Sequence, residues 1–459
     1  METTVQRQEQ AGEKLIRILM FTLTLSSMSA LSFNIVLPDI SKEFHLSIAQ
    51  VSWLSSAYTL IYAVGTVTYG KLADRFKLKN VLTIGLLLFA VGSLIGLASS
   101  TFWTALLGRC VQSAGAAAIP AIATLIPVRY FAPERRGAAL GMSAVGLALG
   151  GALGPVVSAL IVSIAHWRWL FCVPLLILLT IPYYRKYLQD EPVAKGAFDW
   201  LGGMLLAVAV ALVLVGVTNG SGWFIISGLL AAVLFTVRIR AAAEPFVRPG
   251  MFNNKRYTLG VMISVMINGI GVSLYFLSPL LLSRVHQLPP YWIGFVMVPA
   301  AIASALLGRK GGKLADKKGN AALFFIASGL LTTCFVLLST FTGMSPIFIA
   351  AFLLFGNVGQ SFMLIAMSNA ISRSLPKEQV GVGMGMFSML NFIIQGMATG
   401  IYGRLADVHA EGSWNLLNTA PAGSVFSNIY LVLAGLHVCI LLFYYVQFGT
   451  KPTVIPAKG

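Results

Sequence analysis

The sequence predicts an all-α polytopic membrane protein with 14 transmembrane helices, built as two six-helix repeats plus two inserted helices. Three observations predict it. Apolar runs are continuous and about twenty residues long, the length a helix needs to cross a hydrocarbon core of about 30 Å. Charge is sparse: of 459 residues, 57% are hydrophobic and 10% charged, with a mean hydropathy of +0.83, whereas soluble domains are about 25% charged. A pentapeptide recurs at topologically equivalent places. Together these exclude a soluble enzyme and a disordered chain. Continuous apolar runs also exclude the polar–apolar alternation of an outer-membrane barrel.

The segments follow in order. The N-terminal METTVQRQEQAGEK is polar and acid-containing and lacks a signal-peptide layout, so the first run, 15–38, reads as a permanent helix. Runs at 48–70 and 79–99 flank Lys71, Arg75, Lys77 and Lys79; run 102–126 is followed by Arg129, Arg135 and Arg136. Runs 137–161, 167–184, 200–218 and 222–240 lead to Arg238, Arg240, Arg248, Lys255 and Arg256. Run 256–282 precedes 291–310, after which come Lys313, Lys317 and Lys318; runs 320–341, 345–371, 380–402 and 427–447 complete the set.

An even number of helices puts both termini on one side. With the N-terminus inside, only Lys42, Arg168, Arg284 and Arg404 of the 32 Lys and Arg fall outside, and Arg109 lies within the fourth helix. Retained positive charge marks the cytoplasmic face. The net charge of +17 is therefore read as topology rather than nucleic-acid binding. The expected location is a bacterial cell (plasma) membrane, multi-pass, with both termini cytoplasmic. The four cysteines (Cys110, Cys172, Cys334, Cys439) sit inside apolar runs without CxxC spacing, so neither a disulfide nor a metal site is expected.

GKLAD occurs at Gly70–Asp74 and again at Gly312–Asp316. Each copy falls in the loop expected after the second helix of a six-helix block, which points to duplication. The domains are then an N-terminal six-helix bundle at 1–190, two inserted helices with linkers at 191–250, and a C-terminal six-helix bundle at 251–459. A looser copy, GRLAD at Gly403–Asp407, falls on the outer side and is read as coincidence.

Several stretches carry a family resemblance: NIVLPDI (Asn34–Ile40), GKLADRFKLKNVL (Gly70–Leu82), GRCVQSAGAAAIPA (Gly108–Ala121), RYFAPERRGAALG (Arg129–Gly141), GLALGGALGP (Gly146–Pro155), HWRW (His166–Trp169), EPFVRPGMF (Glu244–Phe252) and VHQLPPYWIG (Val285–Gly294). With these the chain resembles the major facilitator superfamily, its fourteen-helix drug/proton antiporter branch, and within that the Gram-positive tetracycline efflux proteins. The resemblance implies a major facilitator fold and secondary active efflux coupled to protons.

It also implies roles for the motifs. Gly70, Asp74 and Arg75, with Arg129 as a partner for Asp74, would form a cytoplasmic latch, repeated by Gly312 and Asp316. A plain basic loop with one acid for solubility is the alternative. Lys77 stands where a glycine is usual, while the second copy keeps Gly319. Gly146, Gly150 and Gly154 recur every four residues and so share one helix face, followed by Pro155. The resemblance makes them an antiporter motif that seals the interface between the halves; small-residue packing is the plainer reading.

Arg109 lies about two turns into the fourth helix, too deep for easy snorkelling. A buried guanidinium is costly unless it lines a cavity or has partners. Gln112 lies one turn on. The functional reading is proton coupling or substrate contact; the structural one is an Arg bonded to helix carbonyls. No helix centre holds Asp or Glu, although the tetracycline antiporters that the chain resembles carry acids in helices 1 and 5. Cationic drug–metal chelates would find no carboxylate partner, so neutral, zwitterionic or anionic lipophilic substrates are favoured. A proton carrier would then be peripheral: Asp39 first, with His45, His166 and His286 weaker.

Other intramembrane polar residues expected along a pathway are Asn34, Tyr58 and Tyr62 in the first half, and Asn268, Tyr275, Asn357, Gln360, Asn391 and Gln395 in the second. Each could equally make an interhelical hydrogen bond. Tyr58 and Tyr62 share a face and could stack a planar ligand. No GxxxxGK[ST] supports ATP drive, no metal spacing appears, and no intramembrane acid pair or nucleophile–base set suggests an enzyme. No cofactor is expected.

The expected function is export of small lipophilic drugs, tetracycline-like ones among the candidates, by alternating access with proton antiport. The expected partners are substrate, protons and membrane lipid, with no nucleic acid, and the protein would act as a monomer. A uniporter or importer of a small metabolite on the same fold, or a non-transporting membrane sensor, are the alternatives.

Overall fold

A computed structural model describes residues 2–46, 48–51, 53–132, 135–189, 199–247, 249–376, 379–406, 412–418, 420 and 423–449. Among them no strand occurs, and fourteen long helices dominate. They are α1 (Glu2–Phe44), α2 (Trp53–Arg75), α3 (Leu78–Leu97), α4 (Phe102–Tyr130), α5 (Arg136–Ile164), α6 (Trp167–Tyr187) and α7 (Trp200–Asn219). Then follow α8 (Gly222–Ala241), α9 (Lys255–Arg284), α10 (Pro290–Lys318), α11 (Asn320–Thr340), α12 (Pro346–Arg373), α13 (Val380–Ala406) and α14 (Ser424–Tyr444).

Thirteen of these are long and apolar enough to span a membrane. The exception is α2, whose 23 residues include Ser55, Ser56, Tyr58, Thr59, Tyr62, Thr66, Thr68 and Lys71. It tolerates this polarity because it packs among α4, α13 and α7 rather than in lipid. Helix α1 begins well before the expected 15–38. At 43 residues and 1.5 Å rise it is about 65 Å long, twice the hydrocarbon core. Its first turns stand clear of the membrane, where polar residues suit a helix.

Helix ends are fixed locally. Thr101 and Thr104 form a capping box on α4. The Asp199 carboxylate caps α7 by accepting from Gly202 N–H at 3.0 Å, and Asn254 caps α9 through Arg256 and Tyr257 N–H. Gly319 joins α10 to α11 at φ +87°, a conformation that favours glycine. The α2–α3 turn needs no such residue: Lys77 sits at φ −55°, so its replacement of a usual glycine costs the turn nothing.

The two halves meet along two seams, α2 against α13 and α5 against α10. The seams are equivalent under the repeat, because α2 and α5 in one half correspond to α10 and α13 in the other. The inserted α7–α8 hairpin lies on one seam only, with α7 against α2 and α13. Both GKLAD copies, expected in loops, are instead helical: Gly70–Asp74 is in the last turns of α2 and Gly312–Asp316 near the end of α10. Hydropathy stops at the membrane edge, whereas the helices continue past it.

Candidate functional site

The end of the molecule bearing Lys71, Arg75, Arg129, Lys317 and Lys318, here the basic end, is shut by backbone-to-backbone contact. A Cβ at Gly70 would lie 2.5 Å from the Gly381 carbonyl oxygen, and one at Gly141 would lie 2.6 Å from that of Gly308. One at Gly312 would run into the Gly137 carbonyl. Small residues are what permit such approach between membrane helices. Asp316 fastens the α5–α10 seam: its Oδ1 accepts from Gly137 N–H and its Oδ2 from Ala138 N–H, both at 2.8 Å. A carboxylate here also faces the positive end of the α5 dipole. The second copy of the motif thus bonds a helix terminus rather than an arginine. The Asp74 side chain lies outside the described residues. Arg129 donates from Nη2 to the Ala73 carbonyl at 3.2 Å.

The first copy binds the linker that follows α8. Arg75 pairs with Glu244 at 2.7 Å, and Lys71 donates to the Pro245 carbonyl at 3.0 Å. Phe246 N–H in turn donates to Asp199, which also pairs with Arg238 at 3.0 Å. One relay of bonds thus runs from α2 through the linker to both ends of the inserted hairpin. For Asp199, burial alone would raise the carboxyl. Donors from Gly202, Arg238 and Phe246 and the Arg238 charge outweigh it and hold the group below its ordinary value.

Deeper, Arg109 is fully buried and lines no open space in this conformation, contrary to the expectation that it faces a cavity. Its guanidinium lies between the rings of Phe33 and Tyr58, 4.3 and 4.0 Å from their centroids. Nη1 donates to Gln112 Oε1 at 2.6 Å and, at 3.4 Å, to the Ser29 carbonyl; Nε reaches the Leu54 carbonyl at 3.4 Å. Gln112 donates onward to Ser93 Oγ at 2.7 Å. Among the described residues Nη2 has no hydrogen-bond partner. Tyr58 stacks on Tyr62, with centroids 5.9 Å apart and planes 18° apart, and Tyr62 meets Phe392 of α13 edge-on at 4.7 Å. A continuous column therefore leads from the buried charge in one half to an aromatic ring of the other.

In the second half, Gln360 donates to Asn268 Oδ1 at 3.1 Å, and neither Gln360 Oε1 nor buried Asn391 Oδ1 has a hydrogen-bond partner among the described residues. Tyr275 is half exposed. Asn357 bonds its own helix at Leu353, so it serves local structure. Gln395 is partly buried. The Asn34 and Pro155 side chains lie outside the described residues.

The helix-5 glycines depart from the expectation. A Cβ at Gly146 or Gly150 would lie 2.5 Å from the Met20 or Thr24 carbonyl oxygen, and one at Gly154 would lie 3.2 Å from that of Met28. This face packs on α1 within the first half and does not seal the halves. Hydrogen bonds from Thr24 and Ser32 to the Gly146 and Gly154 carbonyls reinforce it. The seam belongs to the opposite face of α5, with Gly137 and Gly141.

At the opposite end, a cavity of about 450 Å³ is lined by Asp39, Lys42, Glu43, Val162, Ala165, His166 and Trp167. Glu43 accepts from Arg168 at 2.7 Å and from the Trp167 indole N–H, and lies 3.2 Å from His166 Nε2. Partial burial works to raise its carboxyl, but those two donors and the charges of Arg168 and His166 prevail, and it sits below its ordinary value. Asp39 is exposed, one turn before Glu43.

Sequence reasoning missed Phe33, Phe392, Glu43 and Glu244. An acid one turn after Asp39 was a usable signal for Glu43. His437 was missed as well: it is fully buried in α14, with neither ring nitrogen partnered.

Comparison with known proteins bears on all of this. The family model described as Major Facilitator Superfamily matches residues 19–399. The riboflavin transporter RibZ of Clostridioides difficile (strain 630) is 23% identical over 388 residues, covering 82% of this chain and 84% of that protein. Multidrug resistance protein 3 of Bacillus subtilis (strain 168) is 24% identical over 441 residues, covering 92% and 84%. The solved structure of the proton:xylose symporter XylE with 6-bromo-6-deoxy-D-glucose superposes at TM-score 0.68 with 14% identity over 96% of each chain, which speaks for the fold alone.

Proposed function

This chain belongs to the Major Facilitator Superfamily, and from that premise we propose that it is a secondary transporter exporting small lipophilic drugs by alternating access. The observation that carries the reading is the Asp316 carboxylate of one half capping α5 of the other at the basic end. Such a bond is easily made and broken, and it biases a rocking pair toward closure at one end. The basic end is the cytoplasmic one and the membrane a bacterial plasma membrane. The bundles at 1–190 and 251–459 rock about the column of Arg109, Tyr58, Tyr62 and Phe392, with 191–250 as the insert. The protein works as a monomer.

Arg109 is the buried charge at the end of the aromatic column, and its Nη2, without a hydrogen-bond partner among the described residues, favours neutral, zwitterionic or anionic substrates with planar rings. The coupling proton binds peripherally, at the Asp39, Glu43 and His166 cavity, which faces the outside in this orientation. The resemblance to tetracycline exporters and the likeness to a multidrug resistance protein support the drug class.

A second reading, uptake or facilitated passage of a planar metabolite, is favoured by the riboflavin transporter among the relatives. Proteoliposomes containing a pH-sensitive dye separate the two. Proton movement on adding tetracycline, ethidium or a neutral drug supports antiport, and loss of it with Arg109→Ala ties it to the column. Riboflavin flux without proton movement supports the second reading. No flux of any of these compounds, under a gradient of either sign, would sink both.

A further inference from the structure

A groove of about 290 Å³ runs between α1 and α6 at the basic end, lined by Arg17, Ile18, Phe21, Leu179, Thr180 and Tyr183. Its apolar walls are open: Phe21, Leu179 and Tyr183 are 42%, 63% and 54% exposed. Behind them the helices are pinned by the Thr22 and Tyr184 hydroxyls, 2.9 Å apart, so the groove is preformed. Arg17 is its single charge. It is exposed and, among the described residues, makes no ion pair or hydrogen bond.

A guanidinium at a lipid-facing surface is costly unless it meets headgroup phosphate. The depth fits that level. Tyr183 and Tyr187 stand at the end of α6, as interfacial aromatics do. Lys14 and Lys186 lie 5.1 and 5.7 Å from the Tyr187 ring centroid, and Arg185 adds a further cation. The nearby acid, Glu13, is engaged by Arg135 at 2.8 Å. Among the described residues, unpaired charge here is therefore positive, beside a slot for one acyl chain.

We propose that this groove binds one anionic phospholipid of the phosphatidylglycerol class, its phosphodiester on Arg17 and Lys14, with a chain along Phe21, Leu179 and Tyr183. Arginine offers a phosphodiester two parallel N–H donors. A zwitterionic lipid would bring an ammonium into a field of four cations and is disfavoured. Free phosphate would satisfy the cations yet leave the apolar walls unused. The inference is independent of what the protein transports.

Native mass spectrometry of the full-length protein in detergent tests it, with phosphatidylglycerol and phosphatidylcholine of matched chains and inorganic phosphate as competitor. Wild type retains phosphatidylglycerol over phosphatidylcholine. Arg17→Gln weakens that retention about fivefold, and Arg17→Gln with Lys14→Gln weakens it further, since each interfacial cation contributes about 1 kcal/mol. Leu179→Trp, which fills the slot and leaves every charge in place, weakens it too. Equal retention of both lipids would overturn the proposal, as would full retention by Arg17→Gln. Loss through Arg17→Gln but not Leu179→Trp, or full displacement by phosphate, would reduce the groove to a free-anion site and also overturn it. Should a variant fail to fold, thermal stabilisation of wild type by phosphatidylglycerol, absent with phosphatidylcholine and with phosphate, makes the same distinction.

Discussion

Asp316, near the end of α10, holds the start of α5 through the backbone N–H of Gly137 at 2.8 Å, so the second half caps a helix of the first at this seam. Asp316→Ala removes the charge and both acceptors. Losing a helix cap costs about 0.5–2 kcal/mol, enough to shift a two-state equilibrium severalfold toward opening at the basic end. Spin labels on α5 and α10 at that end should then report a larger population of long distances. An unchanged distribution would remove Asp316 from the gate.

Gly137→Ala probes the same seam without touching charge. A Cβ there meets Asp316 Oδ1 at 2.5 Å and the Gly312 carbonyl oxygen at 2.6 Å, so the closed arrangement must yield. The expected outcome is the same opening, with a melting temperature lower than that of wild type. Gly222→Ala, with open space around it, serves as the silent control.

Arg109→Met separates a transport role from a structural one. No acid pairs with this arginine among the described residues, and replacing buried charge with apolar bulk is often neutral or stabilising by about 1–4 kcal/mol. Thermal stability should hold or rise while flux is lost. Arg109→Lys should not restore flux, because an ammonium cannot fill the planar slot between Phe33 and Tyr58 as a guanidinium does. Full flux in Arg109→Met would leave the arginine without a transport role.

Tyr62→Ala removes the ring joining the two halves of the aromatic column. Aromatic pairs contribute about 0.5–1.5 kcal/mol beyond burial, so binding of a planar fluorescent substrate should weaken roughly three- to tenfold. Tyr62→Phe keeps the ring and should bind as wild type does. Equal affinities across the three proteins would place the ligand elsewhere.

Glu43 sets an acid limit on stability. Its carboxyl is held below the ordinary value of 4.5, so the folded protein binds that proton more weakly than the unfolded chain. The stabilisation is present above about pH 4.5 and is lost as pH falls through the lower folded value. Glu43→Gln should lower the melting temperature near neutrality and flatten its fall toward acid. A melting curve against pH, taken in both proteins, checks the slope; parallel curves would contradict the assignment.

The helices were readable because apolar runs of spanning length report the bilayer directly. Neighbours were less so. Periodicity placed Gly146, Gly150 and Gly154 on one face but could not say that the face meets α1, while Gly137 and Gly141 on the opposite face meet α10. Hydropathy registers only the immersed part of a helix. It therefore cut α1 short and put GKLAD in loops, though both copies are helical where they leave the membrane. Arg109 stood out because a lone charge in an apolar run is conspicuous. Its ring partners did not, because Phe33 and Phe392 look like any core residues until the fold brings them to Tyr58 and Tyr62.

The inserted hairpin changes what the twofold relation between the halves can do. It is tied by Glu244 to Arg75 and by Pro245 to Lys71, and α7 lies along the α2–α13 seam. One flank of the molecule is thus buttressed, while the α5–α10 flank has no such cover. A pair of equivalent seams becomes a hinge side and a door side. The two GKLAD copies, alike in sequence, therefore stand on unlike flanks.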